Sequence, residues 1–131
     1  MMATYARWAH LGLAWIFSGG VLIQGYLAGA AMAQLGGSGD FAAHISVGYS
    51  LMGLLALAVL VSALIGRVPR GQVGLSLVLF VLYIVQTILP TARTSNPALA
   101  ALHPANAMLL LVLAGVIGWR ARRIVGRGPA S

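Results

Sequence analysis

The chain is organised as four long apolar stretches separated by short polar connections. Each stretch runs for about 20 residues without a charged side chain, the length that an α-helix needs to cross a hydrocarbon core of about 30 Å. The pattern predicts transmembrane helices at about 8–33, 41–66, 72–90 and 97–119, the last beginning at either Pro97 or His103. The expected fold class is therefore all-α, an integral membrane four-helix bundle with residues 1–131 forming a single domain.

The connections contain residues that begin and end helices. The run 36–40 is a glycine-rich tight turn in which Ser38 or Asp40 can cap the second helix. Residues 67–71 form a short basic turn between the second and third helices. Before the fourth helix, Asn96-Pro97 has the pattern of an N-cap followed by a first helical residue. None of these connections is long enough to fold as a second domain.

Composition identifies lipid as the main solvent of the chain. Of the 131 residues 60% are hydrophobic, the mean hydropathy is +0.96, and 7% are charged, against about 25% in an ordinary soluble domain. The charged residues are eight arginines and one aspartate, and there is no cysteine. This excludes disulfide frameworks, thiolate metal sites and thiol catalysis, and it disfavours carboxylate catalysis and proton-coupled transport.

Arginine positions indicate the orientation of the chain. If both termini face the cytoplasm, seven of the eight arginines lie on that side and only Arg93 lies outside. This asymmetry satisfies the positive-inside rule, so we expect a multi-pass membrane protein with both termini in the cytoplasm. The arginines are scattered between apolar blocks and form no basic face with interleaved aromatics, which disfavours nucleic acid as a partner. The seven cytoplasmic arginines are Arg7, Arg67, Arg70, Arg120, Arg122, Arg123 and Arg127.

The first span has one competing interpretation. Ala31-Met32-Ala33 before Gln34 is similar to a signal-peptidase site after a basic start. Cleavage there would leave three spans and remove His10. The apolar stretch is far longer than the usual signal-peptide core of about 7 to 15 residues, which favours retention of the span.

Polar side chains within the spans are few, and two of them form a pair. The second and fourth helices run in the same direction, and His44 and His103 lie near their outer ends. Parallel helices of a four-helix bundle sit diagonally across its core, so inward imidazoles at similar depth would face each other across a gap that admits a porphyrin. Two neutral imidazoles are good axial ligands for one b-type haem and leave no open position for oxygen. The full polar set is His10, Gln24, His44, Gln86, His103 and Asn106.

Residues around the histidine pair are compatible with a macrocycle. Gly48 and Ala107 each lie one turn inward from a histidine and are small enough to allow a flat group near the backbone. Asn106 lies near the face of His103, where it can donate to a neighbouring carbonyl or hold a ligand from behind. Arg93, in the loop before the fourth helix, is a candidate partner for a propionate. Apolar walls are expected from Phe17, Met52 and Met108.

The remaining polar and glycine positions have structural interpretations. His10 lies near the inner end of the first helix, alone at that depth, and is expected to be structural or interfacial. Gln24 and Gln86 are expected to form interhelical hydrogen bonds, with a quinone or haem-edge contact as the alternative. Gly25 and Gly29 form a GxxxG pair, which indicates either a homodimer contact or close packing inside one bundle.

Several segments together resemble a known family. They are Phe41-Ala42-Ala43-His44, the closing run 66–70, Gln86 late in the third span, and the run from Leu102 to Ala107. These segments are similar to a family of small bacterial four-helix membrane proteins of unknown function, and the likeness covers nearly the whole chain. The resemblance implies a multi-pass protein of the bacterial cell (inner) membrane.

The layout also resembles one four-helix half of haem A synthase. Each half of that enzyme carries histidines at the outer ends of its second and fourth helices, flanking a haem, and His44 and His103 match them by position. The resemblance implies haem binding. Only one half is present and the acidic residue of the catalytic half has no match, so a haem-binding protein or electron carrier is expected rather than complete haem A synthase activity. Cytochromes of the b561 type need a second histidine pair, and His10 has no histidine partner.

The leading functional hypothesis is a bundle that holds one haem b between His44 and His103 near the outer leaflet, for one-electron exchange with a quinol or a membrane redox complex, or for haem handling. The alternative is a non-catalytic membrane subunit or scaffold that docks a larger complex through Gly25, Gly29 and the arginine-rich tail. A small transporter or channel is disfavoured because the spans contain no acidic residue and no paired broken helices.

Overall fold

Four long helices make up the computed structural model, which describes residues 1–126. They are α1 (Met2–Met32), α2 (Ala42–Ile65), α3 (Arg70–Arg93) and α4 (Pro97–Val125), and each is long and apolar enough to span a membrane. The predicted all-α, four-helix architecture is confirmed. Two boundaries differ by six residues, because α1 begins already at Met2 and α4 continues past Trp119, and the others lie within three residues of the prediction. Arg127, one of the predicted cytoplasmic arginines, lies outside the described residues.

Each helix contacts two neighbours. Helix α1 packs against α2 and α4, and α3 packs against the same two helices. Helices α2 and α4 are therefore diagonal across the bundle, as their shared direction predicted. We call the end that carries Met2, the 66–69 turn and Val125 the terminal end. The opposite end, with connections 33–41 and 94–96, is the loop end.

The core is narrow and built from small side chains around a few large ones. Phe17, Leu79 and Ile117 are fully buried, and Ala14 and Ala56 between them let the helices approach closely. Large apolar side chains cover the outside of every helix instead, including Trp8, Leu54, Val81 and Val112. A soluble protein avoids such an apolar exterior, so this surface is suited to contact with lipid tails.

Polar side chains lie at the starts of α2 and α4. The Asp40 carboxylate accepts a hydrogen bond from the Ala42 amide at 3.0 Å. The Ser38 hydroxyl and that amide hold the pKa of the Asp40 carboxyl below its usual value. The N-cap position of α2 is nevertheless Phe41, one residue after Asp40, and it has no side-chain cap, so neither Ser38 nor Asp40 is the N-cap. At α4, the Asn96 side chain accepts from the Leu99 amide at 3.1 Å, which confirms the predicted cap.

Helix α2 contains an irregular segment that the sequence did not predict. Gly48–Met52 is wound as a π-helix, a form that leaves main-chain groups poorly matched within the helix. The Tyr83 hydroxyl on α3 lies 3.2 Å from the carbonyl oxygens of both Gly48 and Tyr49 and donates to them. Gly53 makes room for this hydroxyl, because a Cβ there would lie 2.6 Å from it. The segment begins one turn after His44 and so positions the loop-end part of α2.

Candidate functional site

The two histidines singled out by the sequence lie together near the loop end. The ring centroids of His44 and His103 are 6.1 Å apart and the ring planes are inclined by 72°. Both side chains are half-buried. The predicted meeting of the two imidazoles across the diagonal of the bundle is therefore observed.

Hydrogen bonds from Gln86 fix the tautomer of His103. The Nδ1 atom lies 3.0 Å from the main-chain carbonyl oxygen of Gln86, which can only accept, so Nδ1 carries the proton. The Nε2 atom accepts from the Gln86 side-chain amide at 3.2 Å. His103 is thus a neutral imidazole with its lone pair on Nε2, the form in which histidine binds metals.

Asn106 holds the Gln86 side chain in place. It is buried, and its Nδ2 donates to Gln86 Oε1 at 2.7 Å and to the Leu82 carbonyl oxygen at 2.9 Å. The expected donation to a neighbouring carbonyl is confirmed. Through Gln86, Asn106 supports His103 from behind, as outer hydrogen bonds do around metal-binding histidines.

Gln24 on α1 holds His44 in a related way. The main-chain carbonyl oxygen of Gln24 lies 3.1 Å from His44 Nδ1. With its amide nitrogen toward His44, the Gln24 side chain donates to His44 O at 3.0 Å and to Nδ1 at 2.7 Å, and its oxygen accepts from the Gly48 amide at 2.8 Å. In this orientation the Gln24 side chain joins the His44 ring and carbonyl to the Gly48 amide.

A glutamine–histidine pair recurs in the two helical hairpins. Gln24 lies late in α1 and His44 early in α2, and Gln86 lies late in α3 and His103 early in α4. In each pair the glutamine contributes both a main-chain carbonyl and a side-chain amide to the histidine. The expected interhelical bonding of both glutamines is confirmed, but their histidine partners were not predicted. The sequence signal that could have predicted these pairs is the matching placement of a glutamine late in one helix and a histidine early in the next, in both hairpins.

The other predicted site residues differ in burial and in their distance from the histidines. The space beside Gly48 is filled by the side-chain amide of Gln24, since a Cβ at Gly48 would lie 3.6 Å from it, and the approach of a flat group to Gly48 stays a prediction. Ala107 is half-buried against the core, and Arg93 is exposed on the last turn of α3. The expectation that Met108 forms a wall of the site is wrong, because it is 56% exposed. It follows His103 by five positions, which is about 140° around a helix.

Two predicted apolar walls lie inside the core. Met52 and Phe17 are buried on α2 and α1 respectively, and both belong to the central cluster of apolar side chains. The Met52 sulfur lies beside Gly20, where a Cβ would be only 2.6 Å away. These side chains separate the loop-end site from the terminal half of the bundle.

A second polar cluster lies in that terminal half, around His10. His10 is fully buried, with Nδ1 3.0 Å from the Val59 carbonyl oxygen and 3.3 Å from the Ser62 hydroxyl. Its Nε2 accepts from the Gln72 amide at 3.1 Å, and the same amide donates to the Ile117 carbonyl at 2.8 Å. A structural role for His10 is confirmed and an interfacial one is wrong. Gln72 was missed because it stands at the predicted start of its span.

The two clusters differ in burial more than in how their imidazoles are bonded. Both ring nitrogens of His10 and both of His103 make hydrogen bonds within the protein, but His10 is fully buried whereas His103 is half-buried. Within residues 1–126, no group of three or more His, Cys, Asp or Glu side chains is placed to hold a metal ion.

Comparison with known proteins gives a family without a known activity. A model described as a family of unknown function, DUF6220, matches residues 24–92. The chain belongs to this family. The DUF6220 match includes Gln24, His44 and Gln86, while His103 follows it. No curated protein and no solved structure matches the chain, so the likeness to haem A synthase stays a prediction.

Proposed function

We propose that this DUF6220 protein is a membrane b-type haem-binding protein. His44 and His103 would bind one haem iron from opposite sides near the loop end of the bundle. The role would be one-electron transfer or haem handling, without a complete haem A synthase reaction.

The distance between the imidazoles carries the proposal. Two imidazoles that bind one metal ion through bonds of about 2 Å have ring centroids on the order of 6 Å apart. The centroids of His44 and His103 are separated by 6.1 Å. His103 Nδ1 donates to a main-chain carbonyl, and His44 Nδ1, which lies 3.1 Å from the Gln24 carbonyl oxygen, would do the same once the Gln24 side chain moved away. Such an outer contact directs Nε2 of a histidine toward a metal.

The donor set favours haem over a bare metal ion. A structural zinc site uses four protein ligands and a catalytic one three, whereas this part of residues 1–126 offers two imidazoles. A porphyrin supplies four nitrogens of its own, and His44 and His103 would complete six-coordination. With both axial positions filled, such a haem exchanges electrons and has no vacant position for oxygen.

Two glutamine side chains would move to admit the macrocycle. Gln86 would release His103 Nε2, and Gln24 would withdraw from the space beside Gly48. Both main-chain carbonyls would keep their contacts with Nδ1, so each imidazole would stay aimed while its Nε2 becomes free. Arg93, exposed at the same end, would pair with a propionate.

The membrane placement follows from the arginine distribution. Arg7, Arg67, Arg70 and Arg120 lie at the terminal end, which favours a cytoplasmic terminal end by the positive-inside rule. The histidine site would then lie near the outer leaflet of a bacterial inner membrane. A quinol or a membrane redox complex is the electron partner that this depth favours.

An absorption spectrum tests the proposal. Protein purified in detergent from haem-replete cells is measured air-oxidised and then dithionite-reduced. We expect a Soret band and sharp reduced α and β bands that are lost in His44→Ala and in His103→Ala. His10→Asn, the matched histidine control, keeps the bands once its helicity is verified by circular dichroism. A colourless protein after haemin reconstitution, or unchanged bands in both alanine variants, contradicts the proposal.

A scaffold function is the second candidate, and the outward glycines of α1 favour it. Gly25 and Gly29 are exposed, and a Cβ at either position would contact nothing within 4 Å. Close packing inside one bundle is therefore excluded as their role, and their face is open to a second copy or another membrane subunit. A scaffold would be colourless. The double variant Gly25→Leu with Gly29→Leu would lose a co-purifying partner, whereas His44→Ala and His103→Ala would each keep it.

A further inference from the structure

A small basic cavity lies at the terminal end of α4. Its volume is about 290 Å³ and it is lined by Trp119, Arg122 and Arg123. All three side chains lie on the exposed side of the helix, away from the buried Ile117 and Ala121. The Arg123 guanidinium carbon is 3.8 Å from the centroid of the Trp119 ring, a cation–π contact that holds this guanidinium beside the ring.

These two arginines have no acidic side chain of the chain to pair with. The one acidic residue in the whole sequence is Asp40, which begins α2 at the loop end. Arg7, by contrast, is used within the bundle, because its Nε donates to the Gly66 carbonyl oxygen at 2.9 Å. Among residues 1–126 no carboxylate lies at this end of the bundle, so both guanidinium groups are open to an anion from outside the chain.

We propose that Trp119, Arg122 and Arg123 bind the phosphate group of an anionic phospholipid. The planar guanidinium fork matches phosphate oxygens, and arginines at the end of a membrane helix reach for the headgroups. Tryptophan lies at the same level in membrane proteins. Below the cavity the same face of α4 exposes Val112 and Val116, an apolar track for an acyl chain. A soluble phosphate would use the arginines but not this track.

Fluorescence quenching of Trp119 by brominated lipids tests this site. Trp8→Phe and Trp15→Phe leave Trp119 as the single fluorophore, and the protein is placed in phosphatidylcholine vesicles with a small fixed fraction of brominated lipid. We expect brominated phosphatidylglycerol to be enriched near Trp119 by about fivefold or more over brominated phosphatidylcholine. Arg122→Gln with Arg123→Gln should abolish that preference.

The matched control removes the same charge at the same end. Arg67→Gln with Arg70→Gln lowers the net charge equally but leaves the cavity intact, so the preference should persist. Equal loss in both double variants would mean that bulk charge alone attracts the lipid, and an unchanged preference in the Arg122 and Arg123 variant would mean that these residues do not bind it. Either result overturns the proposal.

Two further measurements distinguish a lipid phosphate from free phosphate and show whether a variant is misfolded. Excess inorganic phosphate, compared with chloride at the same ionic strength, should leave the lipid preference in place, and its loss would identify a site for free phosphate instead. Arg123→Lys keeps the charge but loses the planar contact with Trp119. It should reduce the preference severalfold while circular dichroism shows unchanged helicity, and full retention would contradict a built site.

Discussion

Gln86 is the residue whose position most directly controls the proposed haem site. Its amide bonds His103 Nε2, the atom that would bind iron, at 3.2 Å. We expect Gln86→Leu to bind haemin several times faster and about fivefold more tightly, because one hydrogen bond of about 1 kcal/mol no longer has to be broken. Stopped-flow absorbance at the Soret band measures both.

The neighbouring Val85 provides the control for this prediction. Val85 is exposed on the outside of α3, so Val85→Ala should bind haemin as the unmodified protein does. Slower binding by Gln86→Leu would indicate that the amide helps to build the site instead of closing it. If the unmodified protein and the variant both fail to bind, the haem proposal itself is wrong.

Gln72 is a residue of structural importance in the other half of the bundle. It is 1% exposed, and one amide nitrogen joins His10 on α1 to the Ile117 carbonyl on α4. Gln72→Leu removes both of these bonds and leaves His10 Nε2 without its donor, so we expect a loss of about 1–2 kcal/mol in the free energy of unfolding. Denaturant titration in detergent measures it, with the exposed Val78→Ala as the control.

The haem spectrum separates this structural role from a role in the site. Because Met52 and Phe17 lie between the two polar clusters, Gln72→Leu should leave the reduced α and β bands at unchanged wavelength. An undiminished unfolding free energy would mean that the His10 cluster adds no stability, and a shifted band would mean that the two clusters are coupled.

Within α2, the π-helical segment depends on one hydroxyl of a neighbouring helix. The Tyr83 hydroxyl donates to the carbonyl oxygens of Gly48 and Tyr49, at 3.2 Å each. Tyr83→Phe should cost about 1–3 kcal/mol of unfolding free energy, because both carbonyls then lack that donor. Tyr49→Phe is the matched control, since it removes a single exposed bond, from Tyr49 to the Thr87 carbonyl. Equal stability of the two variants would contradict a role for Tyr83 in holding the segment.

The sequence predicts where the helices run better than how they are rotated and wound. Uncharged stretches locate α2 within a residue or two of Ala42–Ile65, because membrane spanning imposes length and polarity on every residue of the span. No pattern of length or polarity in the sequence indicates the π-helix at Gly48–Met52. It depends on Tyr83, which is far away in sequence and was indistinguishable from an ordinary aromatic residue of a span.

At the scale of the whole molecule, the site is predictable from the sequence because the directions in which the helices run are predictable. Because α2 and α4 run the same way, His44 and His103 had to lie at one end and on one diagonal, and they do. The partners of those histidines depend on side-chain rotation, which spacing alone does not determine. Gln86 reaches His103 through both its carbonyl and its amide, and no periodicity in the chain encodes that double contact.

The orientation of the whole bundle can be tested with single cysteines, because the natural chain contains none. Ser38→Cys and Ser95→Cys place one thiol at the loop end, and Gly126→Cys places one at the terminal end. If arginines hold the terminal end in the cytoplasm, a membrane-impermeant maleimide should label the first two in intact spheroplasts and the third only after lysis. The reverse pattern would place the histidine site at the inner leaflet, where its electron partner would be cytoplasmic. Labelling of all three in intact spheroplasts would mean that the chain inserts into the membrane in both orientations.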